Sequence, residues 1–130
     1  MTPPENVKVH ELPTSTIWLD EDGILYSVSK KASHRTVEEA EAALKKFMEV
    51  TGGRKLCMIS DNTESPPVSK EMRDYAAKVL PNMTKAIAIL SRSSVGRMAA
   101  NLFFSLKKQP FPVKFFENEE EAKEWIKQYV

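Results

Sequence analysis

The sequence predicts one α/β domain. Its mixed sheet opens with an antiparallel hairpin and continues as strand–helix repeats, in the order β-β-β-α-β-α-β-α-β-α. Three observations carry this. Residues 7–28 hold short β-type runs, whereas from Thr36 onward apolar runs alternate with apolar stripes at helical spacing. The run Ala86-Ile87-Ala88-Ile89-Leu90 is apolar on both faces, which suits a strand between two layers. Finally, 130 residues, 42% hydrophobic and 28% charged, are the ordinary mix of one globular domain that needs no disulfide or metal for its core.

Residues 1–5 read as a flexible end, because Pro3 and Pro4 supply no donors, and residues 6–130 as the single domain. Val7 and Val9 alternate with Lys8 and His10 in a first strand that Pro13 ends. Thr16–Leu19 and Ile24–Val28 flank Asp20-Glu21-Asp22-Gly23, a hairpin whose glycine supplies the positive φ of the turn. Thr36 and Glu39 form a capping box, and Val37, Ala40, Leu44, Phe47 and Met48 follow on one stripe until Gly52-Gly53 stops the helix. Leu56–Ile59 is the next strand, and Ser69 to Leu80 the second helix, with Met72, Tyr75, Ala76 and Val79 as its stripe. Residues 86–90 form the fifth strand. A third helix opens at Ser93-Ser94, carries Val95, Met98, Ala99, Leu102, Phe103 and Leu106, and breaks at Pro110 and Pro112. Val113–Phe116 is the last strand, and Asn118 caps the last helix with Glu121 three positions on.

Nineteen basic against eighteen acidic residues give a net charge of +1, so whole-molecule charge points to no nucleic-acid partner. The single cysteine, Cys57, excludes an internal disulfide framework and fits a cytoplasmic setting. No apolar run approaches the roughly 20 residues of a membrane span. His10 and His34 have no companion at metal-ligand spacing, so neither a metal nor a cofactor is expected.

The order of elements, together with particular residues, resembles the small bacterial STAS-like domains, named after the anti-sigma-factor antagonists, over roughly residues 15–130. The landmarks are Ile17-Trp18-Leu19 and Gly23-Ile24 in the hairpin, Glu71-Met72-Arg73-Asp74-Tyr75, Arg97 and Asn101, Pro112, Glu120-Glu121-Ala122, and Trp125-Ile126. The resemblance implies a non-enzymatic regulatory module that binds a protein partner. It also implies a switch by phosphorylation of a serine that follows an aspartate by two positions, directly after a strand. Here Asp61 is followed by Asn62 and Thr63, and the first helix-capping serine is Ser69, so Thr63 and Ser69 are the two candidates. Some related α/β folds, the CRAL-TRIO domains among them, carry lipids instead.

In open α/β sheets ligands collect beyond the carboxyl ends of parallel strands. Two loops qualify here, 60–69 and 91–97, and they are expected on one edge. The second has an anion-binding character: Ser93 and Ser94 at a helix start, Gly96 for close approach, Arg92 and Arg97 for charge, and Asn101 a turn later. Between Tyr75 and Phe116 there are seven basic residues and no acid, which gives this stretch a positive field. The first loop carries Asp61 and Glu64 as candidate acids for a divalent cation. The plainer roles of these residues are helix caps and solvated surface. Phe103 and Phe104 cannot share one helix face, so Phe104, with Phe111, is a candidate apolar contact for a partner or a homodimer.

No nucleophile with an adjacent base is present in either loop, so a non-enzyme is expected. The leading reading is a binding module that contacts a protein partner, or itself, through loops 61–69 and 91–97. The alternative is a carrier of a small anionic or apolar ligand, with Met48, Met72, Met83 and Met98 lining its cavity.

Overall fold

The computed structural model describes residues 1–31, 36–66, 69–92 and 109–130. Six strands, β1 (Val9–Glu11), β2 (Ser15–Leu19), β3 (Leu25–Ser29), β4 (Leu56–Asp61), β5 (Thr84–Leu90) and β6 (Val113–Phe116), form one sheet in the spatial order β1-β2-β3-β4-β5-β6. The first two pairings are antiparallel and the other three parallel, as the hairpin-then-repeat pattern predicts. Three described helices join them: α1 (Val37–Thr51), α2 (Lys70–Val79) and α3 (Glu119–Ile126). The helix expected to open at Ser93 lies outside the described residues.

The local chemistry explains the boundaries. In the β2–β3 turn, the Asp20 carboxylate accepts from the amides of Asp22 and Ile24, both at 2.9 Å, and Gly23 adopts φ +81°. That conformation is cheap only for glycine. Thr36 and Glu39 close the capping box of α1 in both directions, and Gly52, in the left-handed region, ends the helix. Ser69 and Asn118 cap α2 and α3 through bonds to the amides of Met72 and Glu121.

The two-sided apolarity of β5 divides the core. Ala86, Ala88 and Leu90 join Trp18, Tyr26, Ile59, Phe116, Ala122 and Ile126 on one face, beneath α3. Ile87 and Ile89 join Leu25, Met58 and Met83 on the other, beneath Leu44, Phe47 and Val50 of α1, with α2 packed beside α1. Leu90, Ile59 and Ile126 are fully buried, and burying each contributes about 1.5–3 kcal/mol. The α1 stripe differs from its expected form. Met48 is 41% exposed, while Val50 packs inward. At about 100° per residue, Met48 sits on the flank of the arc that Leu44, Phe47, Val50 and Thr51 define.

Two further features bear on the site. First, β4 runs past Ile59 to Asp61, because Ser60 and Asp61 still pair with Ile89 and Leu90 of β5. Second, the segment before β1 touches the sheet through two side chains. The Met1 and Val7 side chains pack against the Trp18 face.

Candidate functional site

Because β3, β4, β5 and β6 are parallel, their carboxyl ends share one rim. Polar side chains and ladder bonds stitch that rim together. The Asn62 amide donates to Leu90 O at 2.8 Å, and the Ser91 amide donates to Phe116 O at 3.2 Å. The Asn62 side-chain oxygen accepts from Ser60 Oγ at 2.8 Å and from Ser29 Oγ at 3.4 Å. One asparagine side chain thus joins β3 to β4.

Asp61 is the centre of the rim. It is the last residue of β4 and only 4% exposed. Its Oδ1 accepts the Thr63 amide at 3.0 Å, an Asx turn that starts the following loop. Its Oδ2 lies 3.5 Å from Arg92 Nη1 and 3.8 Å from the Met1 amino nitrogen. A buried carboxylate persists only where it is paired and hydrogen-bonded, and both conditions are met here. The second link is direct: the Arg92 amide donates to Thr63 Oγ1 at 3.1 Å. Loops that begin at Asp61 and Arg92 therefore leave the sheet side by side.

The other candidate residues fall as follows. Glu64 is exposed on the turn after Thr63 and stands apart from the Asp61 pairs. Among the described residues no cluster of histidine, cysteine, aspartate and glutamate could hold a metal ion. Ser69 is exposed and its Oγ serves the α2 cap. Phe111 is half-buried against the Met83–Ile87 cluster. Ser93, Ser94, Arg97, Asn101 and Phe104 lie outside the described residues. Sequence reasoning missed Met1, Ser29, Asn62 and Ser91. Only Asn62 carried a signal, in the Asx spacing of Asp61 to Thr63.

Ionisation follows burial elsewhere in the sheet. Burial pushes the Cys57 thiol up, with Lys85 opposing, so the thiolate needed for reactivity is disfavoured. Burial, Lys46 and Lys8 lower His10 from its ordinary value. Of the methionines proposed to line a cavity, Met83 is buried in the core and Met48 is 41% exposed, so these two do not share one; Met98 lies outside the described residues. An open cleft of about 260 Å³, lined mainly by Leu12, Pro13, Thr14, Ala42 and Ala43, lies between the β1–β2 connection and α1. That is below the roughly 300–1,000 Å³ of ordinary ligand pockets. No described helix is long and apolar enough to cross a membrane.

Among solved structures, the chain is similar to an uncharacterized protein of the DUF3478 family from Shewanella loihica PV-4 with a SpoIIAA-like fold. The two are 16% identical, the likeness covers 97% of this chain and 98% of that one, and the TM-score is 0.52. A protein with unknown function from Arthrobacter sp. FB24 is 27% identical, over 85% of this chain and 97% of that one, with a TM-score of 0.32. No curated protein matches the chain. The first likeness shows a STAS-like, SpoIIAA-like fold, in agreement with the resemblance carried by the sequence landmarks. A family model described as a domain of unknown function, DUF7793, matches residues 17–130, and the chain belongs to that family.

Proposed function

We propose that this domain is a cytoplasmic, non-enzymatic binding module that contacts a protein partner, or a second copy of itself, through the rim of loops 61–69 and 91–97. One observation carries the reading. Arg92 is fixed by its backbone to Thr63 and by its guanidinium to buried Asp61, yet its side chain stays 52% exposed. A cation on a rigid mount suits recognition of an acidic surface, since little freedom remains to be lost on binding. The acid-free stretch from Tyr75 to Phe116 adds to the same field.

Topology favours a broad contact over a deep pocket. Open α/β sheets form ligand crevices where the strand order reverses. Here the spatial order follows the sequence from β1 to β6, so the sheet has no such reversal. The STAS-like fold is also consistent with a phosphoswitch at Thr63 or Ser69. A phosphate on Thr63 would bring roughly two negative charges beside Asp61 and offer Arg92 a stronger anion than its present carboxylate.

A photo-crosslinking residue at exposed position 64, introduced into the full chain in its native host, tests the proposal. The expected result is a discrete adduct with a partner or a second copy, reduced at least fivefold by Arg92→Glu while the far-ultraviolet circular dichroism is unchanged. Equal adduct yields with and without Arg92→Glu, or adducts only from a control position at Val9 on the far sheet edge, would overturn it.

A further inference from the structure

The face that carries Trp18 and Tyr26 is covered by two different things. Helix α3 packs over β4, β5 and β6 and reaches β3 with Lys123, whose ammonium lies 5.8 Å from the Tyr26 ring centroid. Over the β2–β3 half, Trp18 and Tyr26 stack at 5.2 Å with an interplanar angle of 6°. This aromatic plate is only 2% and 5% exposed at its two residues. The partly buried apolar side chains packed against the cluster that holds this plate are Met1, Val7, Val28, Trp125 and Tyr129, and the first two belong to residues 1–7.

The segment is lightly held. Its described backbone hydrogen bond is internal, from the Val7 amide to Pro4 O at 3.5 Å. It touches the body at its two ends: Met1 at Asp61, and Asn6 Nδ2 donating to Glu21 Oε1 at 2.9 Å on an exposed surface. Val7 borders the acidic turn Asp20-Glu21-Asp22. Thr2, Pro4, Glu5 and Asn6 face solvent. The family match begins at Ile17, beyond this segment.

We propose that residues 1–7 are a detachable strap, closed in this structure, whose release bares the Trp18–Tyr26 plate while the six-stranded sheet stays folded. Segments with few buried apolar contacts and no ladder bonds open locally at free energies far below global unfolding. The strap shares Asp61 with Arg92, so an opened strap leaves that carboxylate to Arg92 and the Thr63 amide. Opening of the strap requires no partner at the rim.

The test uses the full chain with Trp125→Phe, which makes Trp18 the sole tryptophan of the two present. Val7→Asp then sets a like charge against Asp20, Glu21 and Asp22. Acrylamide quenching of Trp18 is expected to rise at least threefold, and amide exchange in residues 2–8 at least tenfold, with β4 and β5 protection unchanged. Unchanged Trp18 quenching beside a faster-exchanging strap would show that the strap does not cover the plate and would overturn the proposal. Should Val7→Asp fail to fold, native-state exchange of the wild-type chain decides. Strap amides that exchange at low denaturant, well before those of β4 and β5, support the proposal. Strap amides that exchange only with global unfolding overturn it.

Discussion

Asp61 ties three parts of the chain through one carboxylate, and its removal has a cost that can be worked out. Asp61→Ala deletes the charge-assisted bond from the Thr63 amide, a loss of about 1.5 kcal/mol. It also removes the partner of the partly exposed Met1 amino group, which costs about 0.5–1 kcal/mol more. The Arg92 arm adds about 0.5 kcal/mol at most, because that guanidinium is half exposed and screened by solvent. The sum, about 2.5–3 kcal/mol, corresponds to a drop of about 10 °C in Tm for a domain of this size. Asp61→Asn keeps an acceptor for Thr63 and should lose about half as much, and a double-mutant cycle with Arg92→Ala should give a coupling below about 1 kcal/mol. Urea denaturation followed by circular dichroism measures all of these. An Asp61→Ala chain within about 0.5 kcal/mol of the wild type, the range of an ordinary surface substitution, would refute the view that this carboxylate fastens the rim.

Two other outcomes follow from the caps and from the buried phenol. Thr36→Ala removes the hydroxyl that accepts from the Glu39 amide, leaving the backbone amide of residue 36 to the Glu39 carboxylate, and should cost about 1 kcal/mol, whereas Thr36→Ser should cost little; thermal melts compare the two. Burial first, then Asp20, Glu119 and Asp22, holds Tyr26 well above its ordinary value of 10.0, so the folded chain keeps a proton that the unfolded chain releases. The stabilisation is complete below pH 10 and is lost as the pH rises beyond it. Tyr26 should therefore show phenolate absorbance only as the circular dichroism collapses.

The order of strands and helices was legible because each element carried its own signal. The caps at Thr36, Ser69 and Asn118 name their hydrogen bonds in the residue types, and residues 86–90 show both faces of a sandwiched strand. The end of β4 was not legible. An apolar pattern stops at Ile59, while the ladder continues through Ser60 and Asp61 because the partners of those polar groups come from elsewhere: Asn62 for the serine, Met1 and Arg92 for the aspartate. Arg92 and Asp61 are far apart in the chain, and only the parallel pairing of β4 with β5 brings them together. The contacts of Met1 and Val7 were not legible for a related reason. Two prolines announce the absence of ladder bonds, and the seating of Met1 and Val7 on a face built by later residues has no local sign.

The monotonic arrangement of β1 to β6 has a consequence for how the molecule is made. Every strand lies against the one synthesised just before it, so no pairing waits for a later strand, although each parallel pairing first closes a crossover of more than 20 residues. As the chain leaves the ribosome, each new strand meets a template already in place, and assembly advances from one margin like a zip. Helix α3 follows the last of these strands. Until those last residues emerge, Ile59, Ala88 and Leu90 remain wet on one side, and a nascent chain stalled there is a natural client for a chaperone.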